Sequence, residues 1–148
     1  MDFDALRVGL QQAIPYNSHL WLEIREVSPE RGVVLLPDRD ELRNHVGSQH
    51  AGALFSAGEA ASGAAFVGVF AERMGDITPL AQRAEISYAK IASGEIMATG
   101  RVEGDGAGEL LERLDADGTV RFGVDVELSD RSGEIVAEMR VDWHVRRK

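Results

Sequence analysis

The chain has 148 residues, 44% of them hydrophobic and 28% charged, with a formal net charge of −9 and no cysteine. That length suits one domain, 1–148, with a buried core, and the composition is that of an ordinary globular protein. The negative charge argues against a nucleic-acid or anionic-membrane partner, since both need a basic face, and the missing cysteines exclude disulfides, thiolate nucleophiles and thiol-bound metals. The opening MDFDALRVGLQQAIP carries two acids and no basic end before an apolar run. It therefore reads as a short amphipathic helix ended by Pro15 rather than a signal peptide, and a cytoplasmic location is expected. Leu20 to Val27 alternates loosely, with Leu20, Leu22 and Ile24 on one side, and Pro29 and Gly32 then turn the chain into a short strand, Val33 to Leu36. Pro37 to Gln49 is polar and reads as a loop. A long helix follows, from about Ala51 to Met74. Its segment from Gly52 to Ala71 has the length of a membrane span. It is built of Ala, Gly and Ser with Glu59 near the middle, however, which makes a core helix the better reading.

The second half reads as four strands. In the first, Leu80, Ala84, Ile86 and Tyr88 are expected on one face and Arg83, Glu85 and Ser87 on the other. Ile96, Ala98 and Val102 repeat the pattern against Thr99, Arg101 and Glu103. Gly104 to Gly118 is a long connection, with Asp105-Gly106 and Asp117-Gly118 as turn formers and a short helix around Gly108 to Leu114. Val120 to Leu128 and Ile135 to Val145 alternate strictly, joined at Asp130-Arg131-Ser132-Gly133 as a hairpin. Strict alternation means an antiparallel sheet with one covered and one wet face. The long helix is apolar on every side and must be buried, so the expected fold is α+β: a curved sheet of about six strands wrapped around one helix. Gly58, Gly63 and Gly68 each weaken a helix by about 1 kcal/mol relative to Ala, which is understandable where sheet backbone comes close.

Glu59 is the first candidate for chemistry. Phe55, Ser56, Ser62, Gly63, Phe66 and Phe70 share its helical face. A carboxylate among such neighbours loses hydration and its pKa rises, as suits a base or nucleophile, although a structural acid paired with a strand residue fits the same pattern. The polar loop before the helix delivers Asn44, His50, Ala51 and Gly52 to a helix N-terminus, where unpaired amides can stabilise an oxyanion.

Together these residues resemble a known signature. Asn44, then His50-Ala51-Gly52 after five intervening residues, then Glu59 nine positions after the histidine, is similar to the pattern of hot-dog-fold thioesterases of the phenylacetate-pathway type. The lengthened connection from Gly104 to Gly118 resembles an uncharacterised subgroup. The resemblance implies hydrolysis of an acyl-CoA or related acyl thioester. Glu59 would act as general base or nucleophile, and Ala51, with Gly52, would supply oxyanion amides. Asn44 would bond the water or the carboxylate, and His50 would shape the loop. It also implies a site shared between subunits, hence a homodimer or a dimer of dimers, with coenzyme A as part of the substrate and no separate cofactor. The sequence departs from that pattern in carrying Ala51 for the first glycine of the motif, Glu59 for the shorter Asp, and Ala81 where some members place Ser or Thr. Two other functions belong to the same scaffold: a non-catalytic acyl-CoA-binding protein, and an enoyl-thioester hydratase or dehydratase.

Phe55, Phe66 and Phe70 suggest an apolar lining for an acyl or aryl tail. Arg83 and Arg101 are candidates for the coenzyme A phosphates, against the alternative of solvated strand faces. His45 and His50 with Glu59 lack the i, i+4 spacing of helical zinc ligands, so no metal is expected. Ser56 and Ser62 lie in no nucleophile elbow. His19 and His144 read as surface or strand residues.

Overall fold

The computed structural model describes residues 1–104 and 106–148, so the turn expected at Asp105 lies outside the described residues. Helix α1 (Phe3–Ala13) is capped by Asp2, whose carboxylate accepts from the Ala5 N–H. It stops before Pro15, because the residue ahead of a proline is pushed out of the helical region; Ile14 sits at φ −113°. Pro15 then opens a second short helix, α2 (Pro15–His19), where its missing N–H is harmless. Leu20 does not join the strand that follows: it caps α2, and Trp21 adopts φ 53°. Strand β1 begins later, at Glu23–Val27, and turns into β2 (Gly32–Leu36).

The expected loop contains a 3-10 turn at Asp40–Leu42, after which α3 (Ala51–Phe70) crosses the molecule and tightens into a 3-10 segment, Ala71–Asp76. Strands β3 (Ile77–Tyr88) and β4 (Ile96–Val102) follow, then α4 (Ala107–Asp117), β5 (Thr119–Ser129) and β6 (Ile135–Arg147). All pairings are antiparallel in one sheet of order β1-β2-β4-β5-β6-β3. The β5–β6 hairpin is closed by Asp130, whose Oδ1 accepts from the Ser132 and Glu134 amides.

The sheet curls around α3, whose flanks bury Ala57, Ala61, Ala64 and Ala65 in one core with Val34, Val124 and Val141. Small residues allow this approach. A Cβ at Gly68 would lie 1.9 Å from the Ser28 carbonyl oxygen in the β1–β2 turn, and one at Gly32 would lie 2.3 Å from the Ala65 nitrogen. Gly58 meets side chains rather than backbone, those of Met139 and Leu128, and Gly63 has nothing within 4 Å of its missing Cβ. Gly63 thus marks a part of α3 that the sheet leaves uncovered. The stretch with membrane-like composition is a core helix here, most of its residues buried.

One strand face differs from the sequence pattern. A bulge between Ala81 and Arg83 inserts one residue and so reverses the pleat. Ala84, Ile86 and Tyr88 share the side of Val141, Met139 and Ala137, facing α3, whereas Leu80 pairs with His144 on the outer side and is exposed. The two sheet edges also differ. Gln11 covers β1 by accepting from the Ile24 N–H at 2.7 Å and donating to the Leu22 carbonyl at 3.0 Å, and Arg7 donates to the Ile24 carbonyl. No described strand pairs with the outer edge of β3, which is the longer and more exposed of the two edge strands.

Candidate functional site

The first turn of α3 is organised by His50. It takes the N-cap position in extended backbone, and its Nδ1 accepts from the Gly52 N–H at 2.8 Å. The His50 carbonyl accepts from the Ala53 and Leu54 amides at 3.0 and 3.1 Å. Gly52 is therefore unavailable as an oxyanion donor in this arrangement, and among the described residues Ala51 alone keeps an unpartnered N–H in the first turn. Helix N-termini concentrate positive potential on such an amide.

Asn44 is likewise occupied. Its Nδ2 donates to Ser48 Oγ at 2.9 Å and to the Gln49 carbonyl at 3.4 Å, while its Oδ1 accepts from the Val46 and Ser48 amides. Within this chain Asn44 braces the loop rather than reaching Glu59, because a short amide ringed by backbone donors satisfies its own turn first. Between that loop, the first turn of α3 and the end of β3 lies a cleft of about 410 Å³, lined by Asn44, Ser48, Gln49, Ala51, Leu54 and Tyr88. Tyr88 closes one side by donating its hydroxyl to the Ala51 carbonyl at 3.0 Å.

Glu59 stands two turns along α3 on the uncovered stripe marked by Gly52, Phe55 and Gly63. Its carboxylate makes no hydrogen bond or ion pair with the described residues. Burial alone raises its pKa above the ordinary carboxylate value. The two serines beside it serve the helix: Ser62 Oγ donates to the Glu59 carbonyl at 2.7 Å and accepts from Trp143 Nε1, and Ser56 Oγ donates to the Gly52 carbonyl and meets the Tyr16 hydroxyl.

The structure separates other residues that the sequence grouped with these. Phe55 is half-buried on the Glu59 stripe, but Phe66 is 2% exposed. Phe66 packs against Phe70 and Trp143, each at 5.2 Å between ring centroids, and Phe70 stacks on Phe122 at 5.4 Å. Phe66 and Phe70 are therefore core residues and line no cleft, because β5 and β6 close over the second half of α3. Arg83 and Arg101 both point to the outer face of the sheet. Arg101 opposes Asp125, Asp125 opposes Arg140, and Arg140 opposes Glu85, in a row of alternating charge. Arg83 pairs with Glu85 at 3.5 Å. Strands β3 and β4 lie three spacings apart, about 14 Å, so the two arginines meet neither each other nor Glu59. The strand pleat sends them outward.

His144 is a strand residue bonded to Thr119 Oγ1, and His19 ends α2. Among the described residues no three His, Asp or Glu side chains gather as a metal site. Gln49, which the sequence reading passed over, proves to be buried beneath the helix start; a polar residue beside a cap carries no pattern that marks it as interior.

Solved structures share this architecture. One is a Pseudomonas aeruginosa protein of unknown function described as a probable thioesterase, 23% identical with a TM-score of 0.86, covering 98% of this chain and 95% of its own. Another is the E. coli PaaI protein from the phenylacetic acid degradation operon, 18% identical with a TM-score of 0.71, covering 95% and 89%. A third is a thioesterase of Staphylococcus aureus, 17% identical with a TM-score of 0.71, covering 90% and 99%. These likenesses establish the hot-dog fold, six antiparallel strands around one long helix. No curated protein matches the sequence. The family described as Domain of unknown function (DUF4442) matches residues 4–145, almost the whole chain, and the protein belongs to that family.

Proposed function

We propose that this protein hydrolyses an acyl thioester, of coenzyme A or a related carrier, in a site built by two copies of the chain. The observation that carries the proposal is Glu59: a half-buried carboxylate, without a partner among the described residues, on a stripe of the central helix that the sheet leaves open. Burial without compensation is how a carboxylate becomes basic enough to take a proton from water. The unpartnered Ala51 N–H supplies the second requirement, a donor waiting for the oxyanion.

The geometry within one chain leads to the dimer. Ala51 and Glu59 are eight residues apart on a single helix, about 12 Å along its axis. A thioester carbonyl held at about 3 Å from the amide cannot be attacked by water activated at the other. Two α3 helices running antiparallel about a two-fold axis bring Glu59 of one chain to Ala51 of the next, twice. The outer edge of β3, left unpaired and carrying the exposed Tyr88, offers the matching sheet contact.

In the site so formed, Glu59 removes a proton from water as the oxygen bonds to the carbonyl carbon, and the oxyanion rests on Ala51 N–H. The collapsing intermediate expels the thiolate, which takes up the proton, leaving a free thiol and the acid. Direct attack by the carboxylate, followed by hydrolysis of the anhydride, gives the same products. Phe55, one turn before Glu59, contacts the acyl tail. The fold's occurrence among proteins named as thioesterases supports this reading.

The test is thiol release from short, long and aryl acyl-CoAs by wild type and Glu59→Ala, with sedimentation of both. A dimeric wild type that hydrolyses at least one ester, and a dimeric variant that does not, are expected. Equally slow release by the two proteins overturns the enzymatic reading, and hydration of an enoyl-CoA in the same panel would transfer it to a different reaction.

A further inference from the structure

Gln49 leads the chain into the His50 cap of α3. Gln49 is 4% exposed. Its Nε2 donates to the Pro37 carbonyl at 3.0 Å, where the chain leaves β2, and to the Gly94 carbonyl at 2.9 Å, in the turn before β4. Its backbone N–H donates to the Ala92 carbonyl at 2.8 Å, and the next amide, that of His50, donates to the Leu42 carbonyl at 2.9 Å. Three separate segments are thereby tied to the two residues that precede Ala51.

The other end of the Gln49 amide is unsatisfied: Oε1 is buried and has no hydrogen-bond partner among the described residues. A planar amide that aims both protons at two carbonyls aims its oxygen away from them, and a buried acceptor left in this state opposes folding. A methionine would fill a similar volume without that penalty. What the amide supplies and methionine cannot is a fixed orientation of the loop, because both of its N–H groups are held by backbone that belongs to other elements.

We propose that Gln49 is a positioning residue: by strapping the loop to Pro37 and Gly94 it sets the direction of the Ala51 N–H, and with it the strength of the oxyanion contact. The role rests on the thioesterase reading given above. Hydrogen bonds weaken steeply away from linearity, and a displacement of about 1 Å at a reacting centre lowers rates by about a hundredfold. The contact grows as charge develops on the oxygen, so the loss belongs in kcat rather than KM.

The experiment compares wild type, Gln49→Met and Gln49→Asn as purified dimers, in thioester kinetics and in the NMR shift and hydrogen exchange of the Ala51 amide. Gln49→Met should lower kcat about ten- to a hundredfold with KM within about twofold. The pH profile should keep its shape, and the Ala51 amide should shift while those of Val126 and Val141 do not. Gln49→Asn, a shorter amide that reaches one carbonyl, should fall between, and it carries the test if the methionine variant does not fold. An activity loss matched by the unfolded fraction, or an unmoved Ala51 amide in a folded variant, overturns the proposal. If the wild type hydrolyses no thioester, the functional reading fails by itself, and the amide measurement still decides whether Gln49 orients Ala51.

Discussion

Replacing Glu59 by glutamine keeps the size of the side chain and removes its charge, and the two consequences run in opposite directions. The carboxyl is half-buried without a donor or cation, and burial raises its folded pKa above the unfolded value of about 4.3. The folded protein therefore holds this proton over a pH range in which the unfolded chain has released it. Stability from the neutral carboxyl is fully present below about pH 4.3 and is lost as pH rises through the raised folded value. Glu59→Gln should consequently melt above wild type at neutral pH, by about 3 to 4 °C for each kcal/mol of desolvation relieved in a chain of this size. The gap should close as the pH is taken below about 4.3. In the same variant hydrolysis should fall by about 10²- to 10⁴-fold, the usual loss of a general base, or about 3 to 5 kcal/mol of transition-state stabilisation. Thermal melts between pH 4 and 8 and thiol-release kinetics on the same preparations read both effects. Identical melting of the two proteins across that range would mean that the carboxyl is hydrated, and the argument for an activated base would fail with it.

Phe66→Ala should cost about 3 to 5 kcal/mol, since Phe66 sits in the ring cluster with Phe70, Phe122 and Trp143; melting that scarcely moves would return Phe66 to a cleft lining. Gly68→Ala should destabilise clearly because its new methyl meets the Ser28 carbonyl, whereas Gly63→Ala, with open space beside it, should stabilise the isolated chain by about 1 kcal/mol. Reversal of that order in denaturant melts would contradict the packing of α3 against the β1–β2 turn. His50→Ala removes the cap on the Gly52 N–H and should lower stability by about 1 kcal/mol. Faster hydrogen exchange at Gly52 in that variant would report the loss directly.

Much of the architecture is written in local patterns. Alternation in Val120 to Leu128 and Ile135 to Val145 marks two strands and their buried sides, and an apolar run of Ala, Gly and Ser interrupted by Glu59 reads as a core helix rather than a membrane span. The separation of His50 and Glu59 is likewise visible in the chain, because helix geometry converts it into position, whereas Asn44 lies in the loop before the helix. What such patterns cannot carry is anything that depends on a second segment. The bulge between Ala81 and Arg83 reversed Leu80 because register is settled by the neighbouring strand, β6, and not by β3 alone. Phe55 and Phe66 occupy adjacent directions on one helix, yet one borders the open stripe and the other is sealed by Phe122 and Trp143, a distinction made by where the sheet stops curling. Which first-turn amide stays free was decided by the His50 ring folding back onto Gly52, and the burial of Gln49 by carbonyls 12 and 45 residues away in sequence. Sequence by itself determines periodicity and therefore elements and faces; only tertiary structure decides which polar groups find partners, because partners come from distant chain and hydrogen bonds are satisfied in space.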